Sequence, residues 1–145
     1  MLLPKIFKKV LALNIALFLL FSCSSKKEKP EPSAEKSYIE AMKLLKDKSF
    51  TESATAFEKI DDDFPFSKWS SKAKTIAVYA YYKNKDFDKL DEVVNDFIRL
   101  NPASEYNNYM LYMKGLSYYN KVPNITKSQD DTQESSYIFR ELIAR

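Results

Sequence analysis

The sequence predicts an all-α chain, a superhelix of about three helix-turn-helix repeats whose last unit is truncated. Two observations carry that prediction. A pattern recurs at a spacing of 37 residues, pairing Ala41 with Val78 and Gly115, Tyr38 with Thr75 and Tyr112, Leu44 with Tyr81 and Tyr118, and Leu45 with Tyr82 and Tyr119. Fixed periods of that size mark stacked supersecondary units. The chain also has a single glycine and no alternating β-branched run, which leaves little room for strands.

The N-terminus precedes the repeats and reads differently. Lys5, Lys8 and Lys9 form a positive segment, followed by an apolar run from Val10 to Phe21 broken only by Asn14. A run of about 12 residues is too short to span a bilayer, which needs roughly 20, and its flanks are those of a secretory signal over residues 1–22. It ends Leu20-Phe21-Ser22-Cys23, which resembles a bacterial lipobox, where the cysteine is acylated and becomes the new N-terminus. The other reading is an ordinary secretory signal with an incidental cysteine. Cys23 is the only thiol in the chain, and acyl chains on it, at about 0.8 kcal/mol per buried methylene, would anchor a domain firmly. Ser24, rather than Asp, after the cysteine favours export to the outer membrane in lipoproteins of this kind. Residues 23–34, largely SSKKEKPEPS, are polar and Pro-containing, and are expected to form a lipidated flexible tether.

The repeat domain is expected over residues 35–145, with units at about 35–66, 67–103 and 104–145. In the first unit Tyr38, Ala41, Leu44 and Leu45 share one helix face. A polar turn, Lys46 to Ser49, leads to a second apolar face through Phe50, Ala54, Phe57, Ile60 and Phe64, and Pro65 stops it. The second unit repeats this with helices from Ala73 to Tyr82 and from Asp88 to Leu100, stopped by Pro102. In the third, a helix from Glu105 to Asn120 precedes a polar insertion, Lys121 to Thr132, and a second helix starts near Gln133 with Tyr137, Phe139, Leu142 and Ile143 on its apolar face. The matching stop proline would fall beyond Arg145, so the last apolar face is expected to meet a partner, to be exposed, or to belong to a longer product.

These units resemble the tetratricopeptide repeat, which has a small residue where its two helices touch and a proline after the second. Ala41 and Gly115 fit the small position and Val78 departs from it. In such stacks the first helix of each unit lines an inner groove. Groove candidates are Tyr38, Met42, Tyr79, Tyr82, Tyr112 and Tyr119, since tyrosine offers apolar area, low entropy loss and a hydrogen-bonding tip. Each of these could equally fill contacts between repeats, and Tyr81 and Tyr118 are expected in the core. Lys72, Lys83 and Arg99 are candidates for a carboxylate, with solvated surface the plainer reading. Trp69 is either a core plug or an interface anchor.

Composition narrows the function classes. Of 23 basic residues three lie in the signal, which leaves 20 against 20 acidic residues, with no electrostatic footprint for nucleic acid. There is no histidine, so the usual general base and zinc ligand are missing, and one glycine excludes Gly-rich phosphate loops. The acidic run Asp61-Asp62-Asp63 and the pair Asp130-Asp131 read as solvated surface. No enzyme, no metal site and no cofactor is expected.

Four segments carry a more specific resemblance: Asp63-Phe64-Pro65-Phe66, then Val78-Tyr79-Ala80-Tyr81-Tyr82-Lys83-Asn84, then Phe97-Ile98-Arg99-Leu100-Asn101-Pro102, then Tyr112-Met113-Lys114-Gly115-Leu116. In this order, behind a lipobox, they resemble the BamD family, lipoproteins of the β-barrel assembly machine of Gram-negative outer membranes. The family has about five repeats, so the resemblance covers its N-terminal portion. It implies a scaffold lipid-anchored at the outer membrane and facing the periplasm, binding unfolded barrel substrates and partner subunits of the complex. The groove tyrosines would suit an extended, aromatic-rich C-terminal strand of such a substrate. The alternative is another periplasmic repeat lipoprotein, an adaptor in cell-envelope or cell-wall maintenance.

Overall fold

Ser33 caps the first described helix: its Oγ accepts a hydrogen bond from the backbone N–H of Lys36 at 3.2 Å. The computed structural model describes residues 33–121 and 129–145. Among the described residues there are six helices: α1 (Ala34–Lys46), α2 (Phe50–Asp63), α3 (Ser70–Asn84), α4 (Phe87–Leu100), α5 (Asn107–Lys121) and α6 (Asp130–Ala144). No strand occurs among the described residues. The expected signal peptide, Cys23 and nearly all of the tether lie outside them, as do residues 122–128 of the insertion.

The repeat holds at the level of single hydrogen bonds. After α1 the N–H of Ser49 donates to the Leu44 carbonyl at 3.0 Å and that of Lys48 to Leu45 at 3.1 Å. After α3, 37 residues on, Asp86 donates to Tyr81 at 3.0 Å and Lys85 to Tyr82 at 3.1 Å. This paired pattern is the Schellman turn, and it puts Lys48 and Lys85 both at φ 61°, in the left-handed region. A side chain there is strained, so Lys85→Gly is expected to stabilise the domain by about 0.5–1 kcal/mol, read as a raised thermal midpoint.

The links between units repeat as well. Ser67 N–H donates to Phe64 and Ser104 N–H to Asn101, both at 3.0 Å, while the hydroxyls of Ser67 and Ser104 accept from the N–H groups of Trp69 and Tyr106, both at 3.2 Å. This turn occupies residues 104–106, so α5 begins at Asn107 rather than at the expected Glu105. The second helix of the third unit begins at Asp130, earlier than Gln133, because Asp130 and Asp131 fit the electropositive first turn.

Each helix packs on the next, and the first helices also touch one another, α1 with α3 and α3 with α5. Among the described residues the second helices α2, α4 and α6 make no such contact with each other. The core runs through Ala41, Phe57, Ile60, Ala77, Val78, Leu90, Val94 and Met110, all essentially without exposure. The small-residue column explains the helix crossings. Ser53 Oγ donates to the Ala41 carbonyl at 3.2 Å and Ser135 Oγ to the Gly115 carbonyl at 3.0 Å, both buried. A Cβ on Gly115 would lie 2.7 Å from Phe139 Cε1, so the ring of α6 occupies the space a larger residue would need. In the middle unit Val78 and Leu90 replace the small residue and the serine, both fully buried, and the polar contact becomes an apolar one.

Between the first and second units Tyr81 Oη donates to Glu58 Oε2 at 2.5 Å, Lys74 pairs with Asp61 at 3.2 Å, and Ser70 Oγ also donates to Asp61. Burial, and then the Glu58 carboxylate, push the Tyr81 phenol well above its ordinary value, and burial raises Tyr38, Tyr109 and Tyr118 too. The folded chain therefore holds phenolic protons that the unfolded chain releases above pH 10. Their contribution is complete below that pH and is lost as pH rises through the folded values. Urea midpoints are expected to fall steeply above pH 10, and Tyr81→Phe is expected to flatten that decline.

Candidate functional site

Two first helices build the site. On α3 the residues Ala73, Ala77, Val78, Ala80 and Tyr81 turn inward, which leaves Tyr79 outward. On α5 the buried set is Asn107, Met110, Leu111, Met113, Gly115 and Ser117, and Tyr109, Tyr112 and Tyr119 point out. Their exposures are 37% for Tyr79, 36% for Tyr109, 45% for Tyr112 and 66% for Tyr119, so they form a surface rather than a core. Burial first, and then the neighbouring phenols of Tyr79 and Tyr112, raise the Tyr109 phenol. Three phenols thus lie together across α3 and α5.

Packing behind this face fixes it. The Tyr112 ring lies 6.3 Å from Phe139 of α6, tilted by 52°. Tyr82, half-buried, lies 6.1 Å from Phe87 and its Oη accepts from Asn120 Nδ2 at 3.1 Å, which ties α3 to α5. On the far side of α5, Lys114 Nζ sits 3.2 Å from Asp91 Oδ1 and donates to Asn95 Oδ1 at 2.7 Å, while Lys121 donates to Asp88 at 2.7 Å. The Lys121 hydrogen bond holds the Asp88 carboxyl below the ordinary carboxylate value.

The sequence candidates separate accordingly. Tyr79 and Tyr112 share the cluster, Tyr119 is exposed further along α5, and Tyr82 is a half-buried member on α3. Met42 is half-buried and packed on the core of the first unit. Tyr38 departs from the groove expectation: it is 8% exposed, its ring 5.3 Å from Phe57 and 4.7 Å from Trp69. It shares the inner face of α1 with Ala34 and Ala41, and these small neighbours let the ring drop into the helix contact. Tyr81 is core at 5% exposure, whereas Tyr118 is half-buried, with Lys121 Nζ 5.0 Å above its ring. Trp69 is partly buried and packs on the core.

Tyr109 was absent from the sequence candidates. Its repeat column holds Lys72 in the preceding unit, so the periodic pattern gave no aromatic signal there. Its spacing of i, i+3 to Tyr112 on one helix was the available clue. The carboxylate candidates are dispersed: Arg99 pairs with Asp96 at 2.8 Å, Lys83 lies over Phe50 at 5.9 Å and Lys72 over Tyr38 at 5.5 Å. Among the described residues no three acidic or thiol groups converge to hold a metal, and no helix is long and apolar enough to cross a membrane. The arrangement offers apolar area with hydroxyl tips, which suits holding a chain segment.

Comparison with known proteins places this geometry in a family. The family model described as "YfiO: Outer membrane lipoprotein" matches residues 30–145. The chain is 34% identical over 105 residues to the outer membrane protein assembly factor BamD of Vibrio cholerae, covering 72% of this chain and 44% of that protein. It is 31% identical over 123 residues to BamD of Neisseria meningitidis serogroup B, covering 78% and 46%, and 28% identical over 143 residues to BamD of Rickettsia prowazekii, covering 97% and 57%. The chain spans about half the length of these curated relatives. With a matched region that takes in every helix from α1 to α6, and with BamD proteins as its curated relatives, the chain belongs to the YfiO family of outer membrane lipoproteins.

Proposed function

We propose that the chain is a non-catalytic scaffold of outer-membrane β-barrel assembly, lipid-anchored through Cys23 and facing the periplasm, and that its tyrosine face holds segments of unfolded barrel proteins. One observation carries the reading: Tyr79, Tyr109 and Tyr112 gather, part-exposed, on adjacent first helices of a chain whose relatives are named assembly factors. An unfolded barrel strand alternates apolar and polar side chains, and phenols serve both, with ring faces for the apolar residues and hydroxyls for backbone groups. The rest of the scaffold role, contact with partner subunits, is inferred from the same relatives.

A pull-down from detergent-solubilised envelopes with the lipidated chain tests this. Retention of unfolded barrel proteins or assembly subunits is the expected result. Retention of cell-wall enzymes alone would favour an envelope adaptor and overturn the reading.

A further inference from the structure

The link between α2 and α3 carries chemistry that its turn does not require. Its backbone bonds are reproduced by the next link, between α4 and α5, where Ala103 stands for Phe66, Glu105 for Lys68 and Tyr109 for Lys72. Phe66 is nonetheless fully exposed, at 102%. Beside it Lys68 Nζ and Lys72 Nζ lie 5.4 and 5.6 Å from the Trp69 ring, and the three residues line an open cavity of 230 Å³. Neither lysine makes an ion pair among the described residues. Of the acidic residues that precede the link, Asp61 is already paired with Lys74.

We propose that this link, Phe66 with Lys68, Trp69 and Lys72, is a second membrane contact that rests on anionic phospholipid headgroups. An exposed phenylalanine, an indole and two ammonium groups on long stems, with no carboxylate partner among the described residues, form the combination that settles at a bilayer interface. The cations are attracted to an anionic surface and the rings to the region beneath it. The position fits. Trp69 packs 4.7 Å from Tyr38, one turn into α1, so the link lies beside the start of α1. Ten residues lie between Cys23 and Ala34, a reach of under roughly 40 Å even fully extended. The inference rests on the reading that Cys23 is acylated. Given that anchor, the contact would fix which way the repeats face from the membrane.

Trp69 is the only tryptophan of the chain, so its fluorescence reports this link alone. The lipidated mature chain is mixed with vesicles of phosphatidylcholine, or of phosphatidylcholine with phosphatidylglycerol, and flotation is measured beside Trp69 emission. The expected result is flotation with both, and a blue shift with quenching by brominated acyl chains only where phosphatidylglycerol is present. The double variant Lys68→Gln/Lys72→Gln, whose exposed side chains leave the helices intact by circular dichroism, is expected to weaken the contact roughly 30-fold. Unchanged Trp69 emission overturns the contact whether or not the chain floats. A mature chain recovered from envelopes with no acyl mass on Cys23 would overturn the acylation reading, and its Trp69 response would still decide the contact.

Discussion

Phe57→Ala is expected to cost the domain about 3–5 kcal/mol, enough to unfold a large share of the first repeat at 37 °C. Phe57 has no exposure, meets Tyr38 edge-on at 5.3 Å, and sits on α2 between the contacts to α1 and α3. Removing the ring leaves a cavity that rigid helix pairs cannot close, and it frees Tyr38, which in turn buttresses Trp69. Stability in stacked repeats is a sum of unit and neighbour terms, so the loss is expected to fall on α1 and α2 first. Hydrogen exchange of the variant should show α1 and α2 losing protection while α5 keeps most of its own. Uniform loss across all six helices would mean that the array unfolds as one unit.

The second large effect concerns function. Tyr79→Ser, Tyr109→Ser and Tyr112→Ser together are expected to weaken binding of an aromatic-rich barrel peptide about 100-fold, since buried tyrosines at an interface each contribute on the order of 1–2 kcal/mol and do not add fully. All three are at least a third exposed, so the fold is expected to survive. The matched Phe substitutions keep the rings and lose only the hydroxyls. Their affinity should fall much less if apolar contact dominates, which a fluorescence titration of both triple variants reads directly.

The helices were largely legible because their apolar positions obey one period and because turns repeat with them. Leu44 and Tyr81, Leu45 and Tyr82, Phe64 and Asn101 occupy the same columns and make the same backbone hydrogen bonds. Helix starts were less legible. Ser70 and Asn107 open α3 and α5 because a serine three residues earlier, Ser67 or Ser104, folds the chain into a turn, and these serines, though 37 residues apart, lie outside the apolar columns from which the helices are read. The site was legible in part. Columns marked Tyr79 and Tyr112 as lying on first helices, but a column does not say whether its members turn in or out. Tyr38 and Tyr112 share one column and differ, 8% against 45% exposed. Tyr38 is closed over by Trp69 from the following unit, a contact that only the tertiary arrangement supplies.

The central claim, that the tyrosine face of α3 and α5 holds unfolded barrel proteins, is tested most directly by light-induced crosslinking in intact envelopes. A photoreactive phenylalanine derivative is placed at Tyr112 and, as a control, at Glu92 on the outer side of α4, whose side chain is 62% exposed. The account predicts adducts with newly exported outer membrane proteins from position 112 and none from position 92. Equal adducts from both positions, or none from 112 while position 92 reacts, would contradict it.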